Sequence, residues 1–327
     1  MDYAETIVVG GGPAGSSCAW QLKRQGRDVL VLDRQDFPRL KLCAGWVPAQ
    51  VMEQLEFVPA DYPHSLVSLT TKMYFAPFSF PLLGGWAAPW RTDYSIRRLE
   101  FDQWLLARSQ APIITHKVNH VERRGNRYVI DDQFACTYLV GAGGTGCPVK
   151  RQLFPHRAEQ SVQIATLEKE FEYPQRDDSA HLFFRFHGLP GYSWYVPKGN
   201  GFVNLGIGGA SHTLNATHSH IRDHWNWFLD DLVKRDLLDT KTRSTLTPQG
   251  HGYYLFNRQG QVKQDNAFVV GDSAGLASKD LGEGIGPAIK SGLLAAQEIL
   301  GQADYRKTAI SAFSLNPSLR WLQYIWG

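Results

Sequence analysis

A glycine-rich loop near the N-terminus, Gly10-Gly11-Gly12-Pro13-Ala14-Gly15, constrains the fold more than any other segment. It follows an apolar strand segment at 6–9 and opens a predicted helix over about 14–24. A second apolar strand at 28–32 then ends at Asp33. The glycines let the backbone approach a pyrophosphate, the helix N-terminus offers N–H groups to its oxygens, and the acidic residue accepts hydrogen bonds from a ribose. The sequence therefore predicts a Rossmann-type βαβ unit that binds a dinucleotide.

A second glycine-containing segment, near the C-terminus, indicates which dinucleotide is bound. The apolar strand 267–270 leads into Gly271-Asp272, and Gly282-Glu283-Gly284-Ile285-Gly286 opens an apolar helix predicted over about 284–300. An aspartate at such a strand end can hold ribityl hydroxyls. A helix N-terminus after Gly284 can face the flavin ring, where negative charge develops on reduction. The two glycine segments together predict FAD rather than NAD.

Charge and cysteine spacing exclude several classes of protein. The net charge is +3 and the basic residues form no run with interleaved aromatics, so no nucleic-acid partner is predicted. The cysteines at 18, 43, 136 and 147 have neither CxxC nor Cys/His ligand spacing, so no metal site and no disulfide framework is predicted. No stretch approaches the roughly 20 apolar residues of a spanning helix. Met1 is followed by no secretion signal, and we expect a cytoplasmic protein.

Nucleotide-binding segments alternate along the chain with strand-like, aromatic-rich segments. We therefore predict an α/β fold in which a Rossmann-type FAD-binding domain is interleaved with an antiparallel-sheet substrate layer. The FAD-binding domain is predicted at 1–64, 96–160 and 258–305, the substrate layer at 65–95 and 161–257, and an aromatic C-terminal tail at 306–327. Within these domains the pattern predicts a helix over 98–108, a hairpin over about 113–134, a strand at 138–140, strands across 161–210 and an amphipathic helix over 221–238.

Five segments together resemble the geranylgeranyl reductase family of FAD-dependent oxidoreductases. They are the phosphate loop, Asp33-Arg34 with Phe37-Pro38-Arg39-Leu40-Lys41-Leu42-Cys43-Ala44-Gly45, Arg98-Leu99-Glu100-Phe101-Asp102, Gly271-Asp272 with Gly282-Glu283-Gly284-Ile285, and Gly191-Tyr192-Ser193-Trp194-Tyr195-Val196-Pro197. The last is similar to the family's GYxWxFP strand. The family shares the para-hydroxybenzoate hydroxylase fold and is related to flavin-dependent halogenases and monooxygenases. Because the matches run from residue 6 to about residue 300, the resemblance implies this fold for nearly the whole chain.

The resemblance also implies where FAD contacts the chain. Arg98 would lie beside the pyrophosphate, Val118 beside the adenine, and Gly284-Ile285 against the isoalloxazine. The implied FAD-binding positions are Gly10, Gly12, Pro13, Ala14, Gly15, Asp33, Arg34, Lys41, Cys43, Ala44, Arg98, Val118, Gly271, Asp272, Gly282, Gly284 and Ile285. The sequence departs from the family at Ala44, where the KxCGG segment has glycine, and at Gly143, where a GADG turn has aspartate.

Two residues are candidates for the reaction itself, Cys43 and Trp194. The resemblance implies that Cys43 lies close to the reacting face of the flavin. A thiol there can orient the flavin or protonate a carbanion-like intermediate, and the alternative is a buried small apolar residue. Trp194 either contributes to the reaction face or packs beneath the sheet.

The predicted substrate layer is rich in aromatic residues, which favours an apolar or aromatic small-molecule substrate. They are Tyr74, Phe75, Phe78, Phe80, Trp86, Trp90, Tyr94, Phe183, Phe184, Phe186, Tyr192, Trp194, Tyr195, Tyr253 and Tyr254. The first hypothesis is a reductase in which flavin N5 delivers hydride to a carbon–carbon double bond of an isoprenoid or similar substrate. The alternative is a monooxygenase that hydroxylates an aromatic small molecule or a protein side chain through a C4a-hydroperoxide. Two further alternatives are a halogenase, for which Lys41 is the candidate lysine, and an electron-carrying flavoprotein.

Two features bear on the partners of the enzyme. Because only one dinucleotide loop is evident, the electron donor is predicted to be external, either NAD(P)H or a redox protein. The closing stretch 319–326 is amphipathic and aromatic. It is predicted to cover the substrate pocket, with a protein partner or a peripheral membrane contact as the alternatives.

Overall fold

The computed structural model describes residues 1–82, 93–154 and 161–327. Strands and helices are numbered in chain order. The strands are β1 (Asp2–Val9), β2 (Val29–Asp33), β3 (Trp46–Pro48), β4 (Val67–Phe75), β5 (Asp93–Ser95), β6 (Ile113–Thr115), β7 (Val121–Arg124), β8 (Arg127–Ile130), β9 (Phe134–Gly141), β10 (Gln163–Glu172), β11 (Ser179–Phe184), β12 (Gly191–Pro197), β13 (Phe202–Ala210), β14 (Gln249–Tyr254), β15 (Lys263–Gln264) and β16 (Ala267–Val269). The helices are α1 (Pro13–Lys23), α2 (Ala49–Gln54), α3 (Arg98–Arg108), α4 (Pro148–Leu153), α5 (Ser211–Ala216), α6 (Ile221–Lys234), α7 (Thr240–Thr245) and α8 (Ile285–Ile299). Within the described ranges, no helix has the length and apolar character needed to cross a bilayer.

The chain forms two compact units. Unit 1 comprises residues 1–40, 99–161 and 254–316, and unit 2 comprises residues 41–98, 162–253 and 317–327. The sequence prediction grouped residues 41–64 with the FAD-binding domain, whereas their contacts lie in unit 2. The reason is that β3 pairs with β5, and β5 with β4, in the sheet of unit 2.

The sheet of unit 1 is a Rossmann-type sheet with strand order β15-β16-β9-β1-β2-β6, and it is parallel from β16 to β6. Strand β15 pairs antiparallel with β16, and β8 pairs antiparallel with β9. Residues 7–9 of β1 and 29–32 of β2 are buried, continuous apolar runs, as expected of parallel strands covered on both faces. The predicted hairpin over 113–134 is wrong at its first strand. Strand β6 pairs in parallel with β2, with Ile113 opposite Val31, and the hairpin consists of β7 and β8.

Helices α1 and α8 of unit 1 confirm the two helices predicted beside the glycine segments. Helix α1 begins at Pro13, whose ring fixes the backbone angle that a first helical turn requires. The two helices approach so closely that a Cβ on Gly292 would lie 2.1 Å from the carbonyl oxygen of Ala14. The contact packs the first turn of α1 directly against the middle of α8.

The sheet of unit 2 has the strand order β14-β10-β13-β12-β11-β4-β5-β3. The predicted antiparallel layer is confirmed for most neighbours, but β11 and β4 run parallel. Helix α6 packs on one face of this sheet through Trp225, Phe228, Leu229 and Leu232. It ends at Lys234 rather than near residue 238, because the chain turns at Asp236, whose φ is +56°.

Strand alternation divides the aromatic residues of unit 2 between the two faces of the sheet. Tyr74, Phe183 and Tyr195 lie in the core beneath α6. The opposite face carries a row of four rings, Phe75, Phe184, Tyr192 and Trp194, with successive centroids 4.8, 5.4 and 5.7 Å apart. We call this row the aromatic face. Trp86 and Trp90 lie outside the described residues.

Candidate active site and cofactor-binding residues

The phosphate loop of unit 1 is built from close backbone contacts. Gly10 has φ +112°, and a Cβ there would lie 2.4 Å from the carbonyl oxygen of Ala142. A Cβ on Gly15 would lie 1.9 Å from the carbonyl oxygen of Gly10. Gly12 caps α1 without a side-chain hydrogen bond, so the first turn of the helix keeps N–H groups for an anion. These contacts explain why glycine is required at positions 10 and 15.

Asp33 lies at the carboxyl end of β2, as predicted, and is buried. Its carboxylate accepts hydrogen bonds from the N–H groups of Gly11 at 2.7 Å and Gln35 at 3.0 Å. The guanidinium of Arg39 lies 3.9 Å from Asp33, and a Cβ on Gly12 would lie 3.3 Å from its Nη2 atom. A carboxylate and a cation therefore stand together beside the N-terminus of α1, as the ribose and pyrophosphate of a dinucleotide require.

The second glycine segment lies beside the same loop in unit 1. Gly271 has φ +60°, and a Cβ there would lie 3.1 Å from the Cβ of Ala14. Gly284 caps α8, and its Cβ position is 3.5 Å from an oxygen of Asp272. The carboxylate of Glu283 accepts a hydrogen bond from the N–H of Gly286 at 2.7 Å. The N-terminus of α8 was expected to face the flavin. The Glu283 carboxylate therefore neutralises part of the positive charge at that N-terminus.

A second cluster, in unit 2, surrounds Cys43. The Cys43 thiol is half-buried, and its sulfur accepts a hydrogen bond from the N–H of Gly45 at 3.3 Å. The Cys43 carbonyl accepts from the side-chain amide of Asn204 at 3.3 Å. The carbonyl oxygen of that amide accepts from the indole N–H of Trp194 at 2.8 Å. Both predicted catalytic residues therefore belong to one hydrogen-bonded chain, in which Trp194 orients the amide that holds the Cys43 loop, residues 41–45.

Lys198 also holds the Cys43 loop, through the carbonyl of Ala44. Its ammonium is fully buried and donates hydrogen bonds to the carbonyls of Ala44 and Ile96, the second at 2.9 Å. Burial lowers the pKa of Lys198 to about 8, against the nearby carboxylates, which raise it. Gly45 has φ +65°, and a Cβ there would lie 2.4 Å from Nζ of Lys198. The loop is thus held at two adjacent carbonyls, those of Cys43 and Ala44, by side chains of unit 2.

Comparisons with known proteins agree with this geometry. A family model described as an NAD(P)-binding Rossmann-like domain matches residues 8–42. The menaquinone reductase of Mycobacterium tuberculosis strain H37Rv is 30% identical, over 93% of this chain and 78% of that protein. Digeranylgeranylglycerophospholipid reductase 3 of Methanosphaera stadtmanae is 23% identical, over 95% of this chain and 81% of that protein.

The chain belongs to the geranylgeranyl reductase family of FAD-dependent oxidoreductases. Its fold agrees with a solved structure, a geranylgeranyl bacteriochlorophyll reductase-like protein from Thermoplasma acidophilum. The two share 18% identity with a TM-score of 0.71, over 99% of this chain and 82% of that one. The protein is accordingly an FAD-dependent enzyme.

The other family-derived positions are found in varied surroundings. Arg34 is exposed, whereas Arg98 is buried at the beginning of α3. Val118 is buried in the apolar core of unit 1. Gly282 has φ +64°, and Ile285 is the buried first residue of α8. The FAD contacts assigned to these residues stay predictions.

Sequence reasoning missed Arg39, Asn204 and Lys198. Arg39 lies within the family segment 37–45, and Lys198 directly follows the segment 191–197. Each is a charged residue beside apolar ones, and this pattern could have marked both as candidate site residues. Asn204 had none, because its two partners lie 10 and 161 positions away in the chain.

Proposed function

We propose that this enzyme reduces carbon–carbon double bonds of an isoprenoid or similar apolar substrate by hydride transfer from flavin N5. The observation that carries the proposal is the aromatic face of unit 2, which ends at Trp194 and so leads to the Cys43 loop. A row of neighbouring aromatic rings suits a long apolar chain, and the polar groups at one end suit a single reacting bond. Both relatives described above are named as reductases, which supports the same reaction class.

The C-terminal tail supports an enclosed substrate site. Trp326 packs on Tyr192 at a centroid distance of 5.7 Å, and Trp321 packs on Phe75 at 5.3 Å. The carbonyl of Ile325 also lies 3.5 Å from the guanidinium of Arg185, which donates to it. We therefore place the tail as a cover of the aromatic face, where it keeps water from the substrate.

Residues of unit 1 fit the nucleotide part of FAD. We assign the pyrophosphate to the N-terminus of α1 with Arg39, and the ribose to Asp33, because both groups stand beside the glycine contacts described above. The ribityl chain is assigned to Asp272. When bound, FAD supplies the hydride for the substrate.

Residues of unit 2 set the position of the reacting thiol. Asn204 and Lys198 hold the adjacent carbonyls of Cys43 and Ala44, so the thiol of Cys43 is held in place relative to the aromatic face. A proton completes the reduction, and the Cys43 thiol and a water are the two sources that the sequence suggests for it. Electrons come from an external donor, NAD(P)H or a redox protein.

The reaction of the reduced enzyme with oxygen tests this proposal. A reductase is expected to pass from reduced to oxidised flavin with no spectral intermediate in stopped-flow absorbance. Anaerobic incubation of the reduced enzyme with menaquinone should add two hydrogen atoms to the prenyl chain by mass spectrometry. A transient flavin–oxygen adduct, with a hydroxylated product from an aromatic probe, would establish the monooxygenase instead.

A further inference from the structure

Glu168, on β10 of unit 2, is an ionisable group that none of the site assignments above uses. Its side chain is 1% exposed, and neither carboxyl oxygen has a hydrogen-bond partner among the residues that the structure describes. An ionised carboxylate without hydrogen bonds or water is strongly disfavoured at such a position. The carboxyl is therefore expected to carry its proton and to have an O–H group free to donate.

The charges around Glu168 come from four elements. Burial raises the pKa of Glu168 to about 8, Lys198, Lys41 and Arg98 lower it, and Glu170 on the same strand raises it. Desolvation is the largest of these effects, since the cations make no hydrogen bond to the carboxyl. At neutral pH the protonated form predominates, yet the cations make the ionised form accessible.

The register of the sheet places Glu168 beside the proposed substrate surface. Glu168 lies opposite Gly206 on β13, and Gly206 lies opposite Trp194 on β12. Directly paired residues share one face of a sheet, so Glu168 and Trp194 flank a bare glycine on the same face. A Cβ on Gly206 would lie 2.1 Å from the indole, which shows that the ring covers the glycine. Leu167, the preceding residue, points to the opposite face and packs beneath α6.

The same surroundings include the Cys43 loop. The ammonium of Lys198 interacts electrostatically with both Glu168 and Cys43, and it donates to the carbonyl of Ala44. Asn204, which holds the Cys43 carbonyl, lies opposite Glu170, two residues along β10 from Glu168. The acid, the lysine and the thiol loop therefore form one polar end of the aromatic face.

We propose that Glu168 is the acid that protonates the substrate, and that Lys198 stabilises the carboxylate left behind. The inference rests on the proposed reductase function. As the π bond of the alkene breaks, one carbon gains the hydride with its electron pair. The π electrons then form a bond from the other carbon to the proton of Glu168, whose O–H bond breaks and leaves its electrons on oxygen. Water then returns a proton to the carboxylate. A carboxylic acid kept protonated near neutral pH is suited to this task, as is known for buried acids in other enzymes.

Infrared difference spectroscopy of the FAD-loaded enzyme tests the protonation without any substrate. The spectrum at pH 7 should contain the carbonyl stretch of a protonated carboxylic acid, which disappears as the pH is raised through about 8. This band should be lost in Glu168→Gln and retained in Glu172→Gln, a matched control at an exposed position on the same strand. Absence of the band from the wild-type spectrum overturns the proposal.

Single-turnover reduction of menaquinone by the prereduced enzyme tests the catalytic role. Glu168→Gln should slow product formation by about 100-fold or more, whereas Glu172→Gln should change it by no more than about twofold. The wild-type rate should fall above pH 8, and this fall should be absent from the residual rate of Glu168→Gln. If Glu168→Gln reduces menaquinone at the wild-type rate, the role of Glu168 is wrong and the reductase function stands. If the wild type shows the infrared band but forms an oxygenated product instead of a reduced one, the reductase function is wrong and the acid role falls with it.

Discussion

The most informative perturbation is a single methyl group at Gly206. In Gly206→Ala the new Cβ would lie 2.1 and 2.3 Å from two indole carbons of Trp194, where packed carbon atoms need about 3.5 Å or more. The indole must move, and its 2.8 Å hydrogen bond to Asn204 is then lost. Overpacking of a core typically destabilises by about 1–3 kcal/mol, and a lost buried hydrogen bond by about 1 kcal/mol. A strand gains roughly 0.5–1 kcal/mol when glycine becomes alanine. We therefore expect a net destabilisation of about 1–3 kcal/mol.

Gly208→Ala is the matched control for this variant. Gly208 is two residues along β13 on the same face, and its Cβ would meet neighbouring side chains at 3.5 Å or more, which is ordinary contact. The urea midpoint should therefore fall for Gly206→Ala and stay unchanged or rise slightly for Gly208→Ala. Equal midpoints for the two variants would refute the steric reasoning.

A second readout follows the effect to the Cys43 loop. Displacement of the indole frees Asn204, which holds the Cys43 carbonyl, so iodoacetamide should alkylate Cys43 faster in Gly206→Ala. Mass spectrometry of the folded protein reports this site cleanly, because Cys18, Cys136 and Cys147 are buried. A destabilised variant with unchanged alkylation would show that Trp194 does not act on the loop.

Three further results are expected. Gly15→Ala places a methyl 1.9 Å from a backbone carbonyl oxygen and should abolish FAD retention during gel filtration. Gly26→Ala should retain the flavin, because its Cβ meets no described heavy atom within 4 Å and the backbone strain at its φ of +73° is confined to the turn after α1. Lys198→Met removes both hydrogen bonds of the ammonium, and alkylation of Cys43 should accelerate while the flavin absorbance stays unchanged. Because burial raises the pKa of Glu168 from 4.5 to about 8, the folded protein keeps a proton that the unfolded chain loses in that window. The free energy of unfolding of the wild type should accordingly fall relative to Glu168→Gln as the pH rises from 4.5 to 8, by at most about 5 kcal/mol; a constant difference across this window would contradict the buried neutral acid.

The sequence was sufficient where the relevant contacts are local or carried by a motif. The phosphate loop, Asp33 and the beginning of α8 lie where their glycine spacing and apolar strands predicted, because each depends on residues within a few positions. The helix over 98–108 is likewise confirmed at both ends.

What the sequence missed depends on pairing between distant strands. Residues 113–115 have a strand-like sequence, but that sequence does not indicate which strand they pair with. Their parallel pairing with β2 could therefore not be predicted. The parallel pair β11 and β4 joins segments more than 100 residues apart. Glu168 reads as one of several acidic residues on an alternating strand, and its isolation from hydrogen-bond partners emerges only in the assembled sheet.

The anchoring of the Cys43 loop has a consequence for how such enzymes can be recombined. The thiol follows closely after the nucleotide motif in sequence, yet the side chains that hold its backbone, Asn204 and Lys198, belong to unit 2. A chimera that exchanges residues 1–40, 99–161 and 254–316 for those of a relative would carry the cysteine with its native supports intact. A crossover placed after residue 45 would instead import a foreign loop, so the hydrogen bonds from Asn204 and Lys198 to the carbonyls at 43 and 44 would depend on the conformation of that loop. A crossover that keeps Cys43 together with Asn204 and Lys198 therefore belongs between residues 40 and 41, where the first segment of unit 1 ends.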